Sequence, residues 1–203
     1  MVLLSATPCA AADGRFAAFG SLGFGGVSKA EVDFQTGLDS GPDESALDVT
    51  LGLGASYDRP LAPFFSLGGL ARAYAWSADT YAWETRGGNG GLGFDLAVLP
   101  RVHVDVKLVE LYLTLPIGFT LASKDENRTY LLVDTQYDLG LGYNWGLFAG
   151  VQYPLLPGAA AFLEAGWLLH TIYQRGEAEA DAAIDGELEQ RMGQFTINLG
   201  LAF

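Results

Sequence analysis

Long hydrophobic runs, cysteine and positive charge are what this sequence has least of. No stretch approaches the roughly 20 consecutive apolar residues of a membrane-spanning helix, although 50% of the 203 residues are hydrophobic and the mean hydropathy is +0.21. A single cysteine, Cys9, excludes a disulfide-stapled scaffold. Eleven basic side chains against 24 acidic ones leave a net charge of -13, with no Lys/Arg cluster to neutralise phosphate, so the composition excludes a nucleic-acid binder. No His/Cys spacing suggests zinc and no glycine-rich loop opens a helix, so neither metal nor cofactor is expected. Glycine, with 27 residues, is plentiful.

The first twelve residues run from Val2-Leu3-Leu4 into Ala10-Ala11-Ala12 before Asp13, which reads as a residual signal peptide whose positive n-region is missing. Cys9 goes with it, and residues 13–203 form the expected domain. From residue 14 onward the dominant signal is alternation. Val109, Leu111, Leu113, Leu115, Ile117, Phe119 and Leu121 face one way, against Glu110, Tyr112, Thr114, Pro116, Gly118 and Thr120. Residues 47–57, 137–153 and 194–203 repeat the pattern, and weaker versions over 14–28, 64–77, 92–104 and 160–173 bring the strands to eight. On this reading Leu47 and Tyr137 share the apolar face of their strands.

Connections alternate in length. Short ones are expected at 58–63, 104–107 and 154–158, and long ones at 29–46, 78–91, 123–136 and 174–191. Short turns and long loops therefore segregate to opposite ends of an up-and-down meander. The four long segments hold 16 of the 24 acidic and six of the 11 basic residues, a net of -10. Solvated loop tips account for this, with divalent-cation or lipopolysaccharide binding between loops as the sharper alternative.

Which face is apolar decides the solvent. A lipocalin-like barrel hides its apolar face, whereas a barrel in lipid displays it. Eight strands enclose a lumen just wide enough to be filled by side chains. The face rich in Gly, Ser, Thr, Asn and Gln fits that lumen, and the Leu, Val, Phe and Trp face fits lipid. Closure satisfies every backbone amide, as lipid requires. Tyr57, Phe65, Tyr153 and Phe203 near the short-turn end, with Tyr137 and Tyr173 near the long loops, are candidates for interfacial aromatic girdles.

These features resemble the small eight-stranded bacterial outer-membrane β-barrels, of the OmpA transmembrane-domain and OmpX kind. The resemblance covers residues 14 to 203. Its most specific element is the ending, where Phe195, Ile197, Leu199, Leu201 and Phe203 alternate up to a terminal Phe, similar to the signal by which the outer-membrane assembly machinery recognises its clients. It implies an all-β, antiparallel, up-and-down transmembrane barrel in the outer membrane, monomeric, with the bilayer, lipopolysaccharide and the assembly machinery as partners.

Inward parity gathers Asp48, Arg72, Asp95, Arg101, Glu110 and Glu164 into an expected lumen charge network, with His103 and His170 as further members. A turn centred on Pro60 sets Asp48 opposite Arg72, and one between Asp105 and Val106 sets Arg101 opposite Glu110. Buried charges are costly unless paired, so the network is expected to plug the lumen. A narrow channel or small hydrophobic-solute binder is the alternative. A lipid-modifying enzyme is a second one, similar in architecture to lipid A acylases and deacylases. No serine follows His170 within its strand, and His103 lies at the opposite end, so no catalytic residue is assigned and no enzymatic activity is expected.

Overall fold

A computed structural model describes residues 14–34, 43–78, 84–86, 89–123, 128–130, 133–178 and 186–203. The expected signal peptide, 1–12, and the acidic Glu179, Asp181 and Asp185 lie outside these. The described chain is almost entirely antiparallel sheet. Its strands are β1 (Arg15–Phe34), β2 (Asp43–Leu47), β3 (Thr50–Ala62), β4 (Phe65–Ala78), β5 (Glu84–Arg86), β6 (Asn89–Val106), β7 (Val109–Thr114), β8 (Ile117–Ala122), β9 (Arg128–Tyr130), β10 (Val133–Tyr137), β11 (Gly140–Leu156), β12 (Ala159–Ala178) and β13 (Gly186–Ala202).

β2 continues into β3, β7 into β8 and β10 into β11, so the ring has eight staves. It closes where β1 pairs with β13, and Phe16 and Phe203 exchange backbone hydrogen bonds of 3.1 and 2.7 Å at the seam. Followed from strand to strand, the register runs from Asp95 through Arg72, Gly54, Phe19, Gly200, Phe162, Gln152 and Glu110. It returns to β6 at Asp105, ten residues further along. Such a stagger tilts eight strands by about 40° and leaves a lumen that side chains can fill.

Outward side chains are apolar over the whole wall. Leu53 is 74% and Phe119 72% exposed, in company with Leu51, Leu96, Val98, Ile117, Trp145, Leu163, Trp167 and Leu199. On β13 the outward positions from Gly193 to Phe203 carry no charge. At about 3.3 Å per residue and this tilt, the band is about 25 Å tall, the height expected for an outer-membrane barrel. Tyr57, Tyr153 and Phe203 stand outward at its short-turn edge and Tyr173 at the other. Beyond Tyr173, Gly193 and Val27 the outward positions turn charged, as Arg175, Arg191 and Lys29.

The tight turns are two residues each, Pro63–Phe64, Lys107–Leu108 and Pro157–Gly158. The opposite connections are shorter than the alternation alone suggested, because β1, β12 and β13 continue as paired ladder past the apolar band, to Phe34, Ala178 and Gly186. Among the described residues, three irregularities near the long-loop edge bear on which way the chain faces. Gly25, with φ of 64°, forms a bulge between Phe24 and Val27. Residues 48–49 separate β2 from β3, and 138–139 separate β10 from β11. Each of these two breaks reverses the facing of the chain. Leu47 and Tyr137 therefore point inward and are buried, contrary to their sequence assignment, and Asp48 is turned out of the lumen.

The lumen is also less polar than the alternation implied. Phe19, Tyr74, Tyr112, Phe148 and Phe162 all point inward and are buried. Glycine makes room for them. Phe19 is register partner of Gly54, Tyr74 of Gly93 and Tyr112 of Gly150, and a Cβ on Gly54 would come within 2.3 Å of the Phe19 ring. The far end of each aromatic ring lies close against the bare backbone opposite it.

Candidate functional site

The charged residues of the lumen form two layers. Arg72 on β4, Asp95 on β6 and His170 on β12 make the upper one. Arg72 and Asp95 are direct register partners. The Arg72 guanidinium donates to Asp95 Oδ2 from Nε, at 3.1 Å, and from Nη2. His170 Nε2 lies 3.2 Å from the same oxygen and 3.4 Å from Arg72 Nη2. The other carboxylate oxygen accepts from Thr120 Oγ1 at 2.7 Å, and Asn144 Nδ2 in turn donates to Thr120 Oγ1 at 2.9 Å. The Tyr74 ring lies against the imidazole at a tilt of 34°, with ring centroids 5.1 Å apart. All three charged or titratable side chains are essentially sealed from solvent.

The lower layer lies toward the tight turns. Arg15 donates bidentately through Nη1 to Glu110 at 2.9 and 2.8 Å, and through Nη2 and Nε to Asp58 at 3.0 and 3.3 Å. Arg101 reaches the other Asp58 oxygen at 3.5 Å and lies over the Tyr112 ring, 4.3 Å from its centroid. Between the layers sit Phe19, Phe162 and Leu70, the hydrogen bond from Asn198 Nδ2 to Glu164 at 2.7 Å, and a cavity of about 20 Å³ bounded by residues of both. Above the upper layer, Leu47, Tyr74, Trp76, Ile172 and Met192 form an apolar cap, with Val32, Leu188 and Tyr137 buried higher still.

Two of the expected pairings are wrong. Arg72 stands opposite Gly54 and Asp95, not Asp48, and Asp48 instead accepts from Ser77 Oγ at 3.0 Å on the exposed side. Arg101 is register partner of Thr114, while Glu110 faces Asp105 and Gln152. Both errors come from the turn centre: the chain reverses at Pro63–Phe64 and Lys107–Leu108, a few residues beyond the assumed points. The slips are even in register, so the facing of Arg72, Arg101 and Glu110 survives while their partners change. Sequence reasoning missed Arg15 and Asp58, which had been assigned to a strand start and a turn. The alternation of Arg15 with Phe16 and of Asp58 with Tyr57 was the signal available. His170 joins the upper layer. His103 is half-buried on β6, near the lower one.

Among the described residues no group of three or more His, Cys, Asp or Glu is placed to hold a metal ion. Asp95 and His170 form a carboxylate–imidazole pair that lies beneath the apolar cap, with Arg72 as its third member and the Thr120 hydroxyl on Asp95.

No family model matches the sequence, and no curated protein sequence matches it significantly. Solved structures do. The outer membrane protein OprG from Pseudomonas aeruginosa superposes with a TM-score of 0.65 at 11% identity, covering 93% of this chain and 94% of that one. The outer membrane protein AlkL, determined in lipid bilayers, gives 0.53 at 10% identity, covering 94% and 89%. At such identities the likeness is one of fold. With the apolar band on the wall, it places the chain in the bacterial outer membrane.

Proposed function

From the premise that this chain is a small bacterial outer-membrane β-barrel with a filled lumen, we propose that it is a sealed, monomeric barrel that works at its outer face. Its role is structural, adhesive or envelope-maintaining, carried by the acidic strand ends and loops. Lipopolysaccharide and the outer-membrane assembly machinery are its partners besides the bilayer, the machinery engaged through Phe195, Ile197, Leu199, Leu201 and Phe203.

The observation that carries this reading is the upper charged layer. Arg72, Asp95 and His170 come from three different staves and meet across the lumen. A solute moving through would have to separate a buried ion pair, which costs several kcal/mol, about 3–5 when one partner is lost. A small-molecule binder in the lumen needs a pocket of roughly 300 Å³ or more, against a cavity of about 20 Å³ between the layers. An enzyme acting on outer-leaflet lipid needs its catalytic groups at the rim, whereas His170 and Asp95 lie below the cap.

Complementation of a deletion strain tests the division of labour. Replacing the upper pair by apolar residues, Arg72→Met with Asp95→Leu, is expected to preserve resistance to detergent and chelator. Neutralising the outer carboxylates Glu31, Asp33, Glu187 and Glu189 is expected to lose it. The opposite pattern would place the function in the lumen and overturn the proposal.

A further inference from the structure

The lumen charges do not pair off evenly. In the two layers and between them stand three guanidinium groups, Arg15, Arg72 and Arg101, against four carboxylates, Asp58, Asp95, Glu110 and Glu164. Arg72 is committed to Asp95, and Arg15 to Glu110 and Asp58. Arg101 is held loosely, because its ion pair with Asp58 is long, at 3.5 Å. Glu164 is the complement of that cation. Among the described residues it forms no ion pair, and it accepts from the neutral Asn198 amide.

Both side chains line the cavity of about 20 Å³ between the layers, Arg101 from β6 and Glu164 from β12. Thr114 on β7 and Asn198 on β13 line it as well. Arg101, Thr114 and Asn198 are only 7%, 2% and 4% exposed, and Arg101 Nε, Thr114 Oγ1 and Asn198 Oδ1 have no hydrogen-bond partner within the chain. Buried polar atoms in folded proteins are nearly always bonded, so three orphans around one cavity call for a ligand. Arg72, Asp95 and Asn144 also reach the cavity, but their bonds are made within the upper layer.

The lining decides the occupant. A single water needs a space of about 10–15 Å³, and nothing much larger fits here. A cation would face the Arg101 and Arg72 guanidinium groups, and an anion the Glu164 and Asp95 carboxylates; either is costly away from bulk water. A neutral molecule that both donates and accepts meets no such opposition. Arg101 Nε–H and the Thr114 hydroxyl are donors, while Asn198 Oδ1 and the Glu164 carboxylate are acceptors. Two donors and two acceptors complement one water molecule, and internal waters make about three such bonds.

We propose that this cavity is the binding site of a single water molecule that joins Arg101 to Glu164. The water gives the fourth carboxylate its cation at one remove, and it ties β6 and β7 to β12 and β13 between the charged layers. The lumen is then closed at three heights and not two. The proposal rests on the filled-lumen reading above, but not on what the outer face does.

A crystal structure of the full chain, at a resolution that shows ordered water, tests it directly, with parallel crystals soaked in rubidium bromide. One peak is expected within hydrogen-bond distance of Arg101 Nε and the Glu164 carboxylate, silent in the anomalous map. An anomalous rubidium or bromide peak in the cavity would overturn the proposal, and so would a cavity without a peak or a direct bond from Arg101 to Glu164. In solution, oxygen-17 relaxation dispersion of the barrel in micelles counts the water molecules held longer than the particle takes to tumble. Thr114→Leu, which fills the cavity, is expected to hold one fewer than the wild type, and an equal count would overturn the proposal. If that variant does not fold, Ser56→Val, on the same lining, is read against the same outcomes. A conducting wild-type barrel that still shows the bridging water would contradict the sealed-lumen reading and leave this one standing.

Discussion

The two charged layers of the lumen solve the same problem with different margins. The upper layer has one guanidinium, one carboxylate and one imidazole, with Arg72 and Asp95 side chains only 5% and 1% exposed. The lower layer has two guanidinium groups and two carboxylates, and its Arg15 and Glu110 side chains keep 18% and 16% of their exposure. Loss of one member leaves the upper layer with an uncompensated charge that bulk solvent does not reach. The lower layer can redistribute its bonds, because Asp58 already serves both Arg15 and Arg101. A buried ion pair is thus weakest where it is most complete, and its worth lies in fixing which strands meet.

The sharpest way to break this contrast is Asp95→Ala. It strands Arg72 in the lumen and is expected to cost about 3–5 kcal/mol, read as a lower urea midpoint for the heat-modifiable transition. Adding Arg72→Met should recover most of that loss, since an apolar replacement of the whole pair is often neutral.

A second comparison uses the glycines that make room for each layer's aromatic ring. A Cβ on Gly93 would lie 2.1 Å from the Tyr74 ring, and one on Gly150 2.3 Å from Tyr112. Tyr74 is held by the apolar cap and by His170, so Gly93→Ala is expected to cost about 2–3 kcal/mol, at the upper end for overpacking. Gly150→Ala is expected to cost about 1 kcal/mol, because Tyr112 can shift with Arg101 toward the open end. Equal costs, measured by the same midpoint, would remove the distinction between the layers.

The smallest effect is expected for Glu110→Gln, about 1 kcal/mol or less, since an amide still accepts from Arg15 and Asp58 remains. A loss as large as that of Asp95→Ala would show the lower layer to be just as brittle.

Facing was legible in the sequence wherever alternation ran unbroken, because the two-residue period assigns Leu53, Phe119 or Thr120 to a side without knowledge of any neighbour. Pairing was not, because it depends on where the chain turns. Three prolines, Pro60, Pro63 and Pro116, offered candidate breaks, and of these only Pro63 lies in a turn. Pro60 remains in β3 opposite Ser66. Pro116 merely interrupts the ladder between β7 and β8, its carbonyl still accepting from Gly146 at 3.0 Å.

The bulges at 48–49 and 138–139 carried no recognisable signal. They reversed Leu47 and Tyr137, and they removed Asp48 from the network. Alternation set Tyr112 inward, but the room for the inward rings depends on pairing: Gly54, Gly93 and Gly150 widen the lumen only where Phe19, Tyr74 and Tyr112 lie.

The central claim is that these layers close the barrel, and planar-bilayer conductance of the purified full chain tests it most directly. The account predicts no discrete openings for the wild-type barrel at neutral pH, and the appearance of openings only when Asp95 and the lower-layer Asp58 are both replaced by alanine. Stable single-channel conductance from the wild-type protein would contradict it.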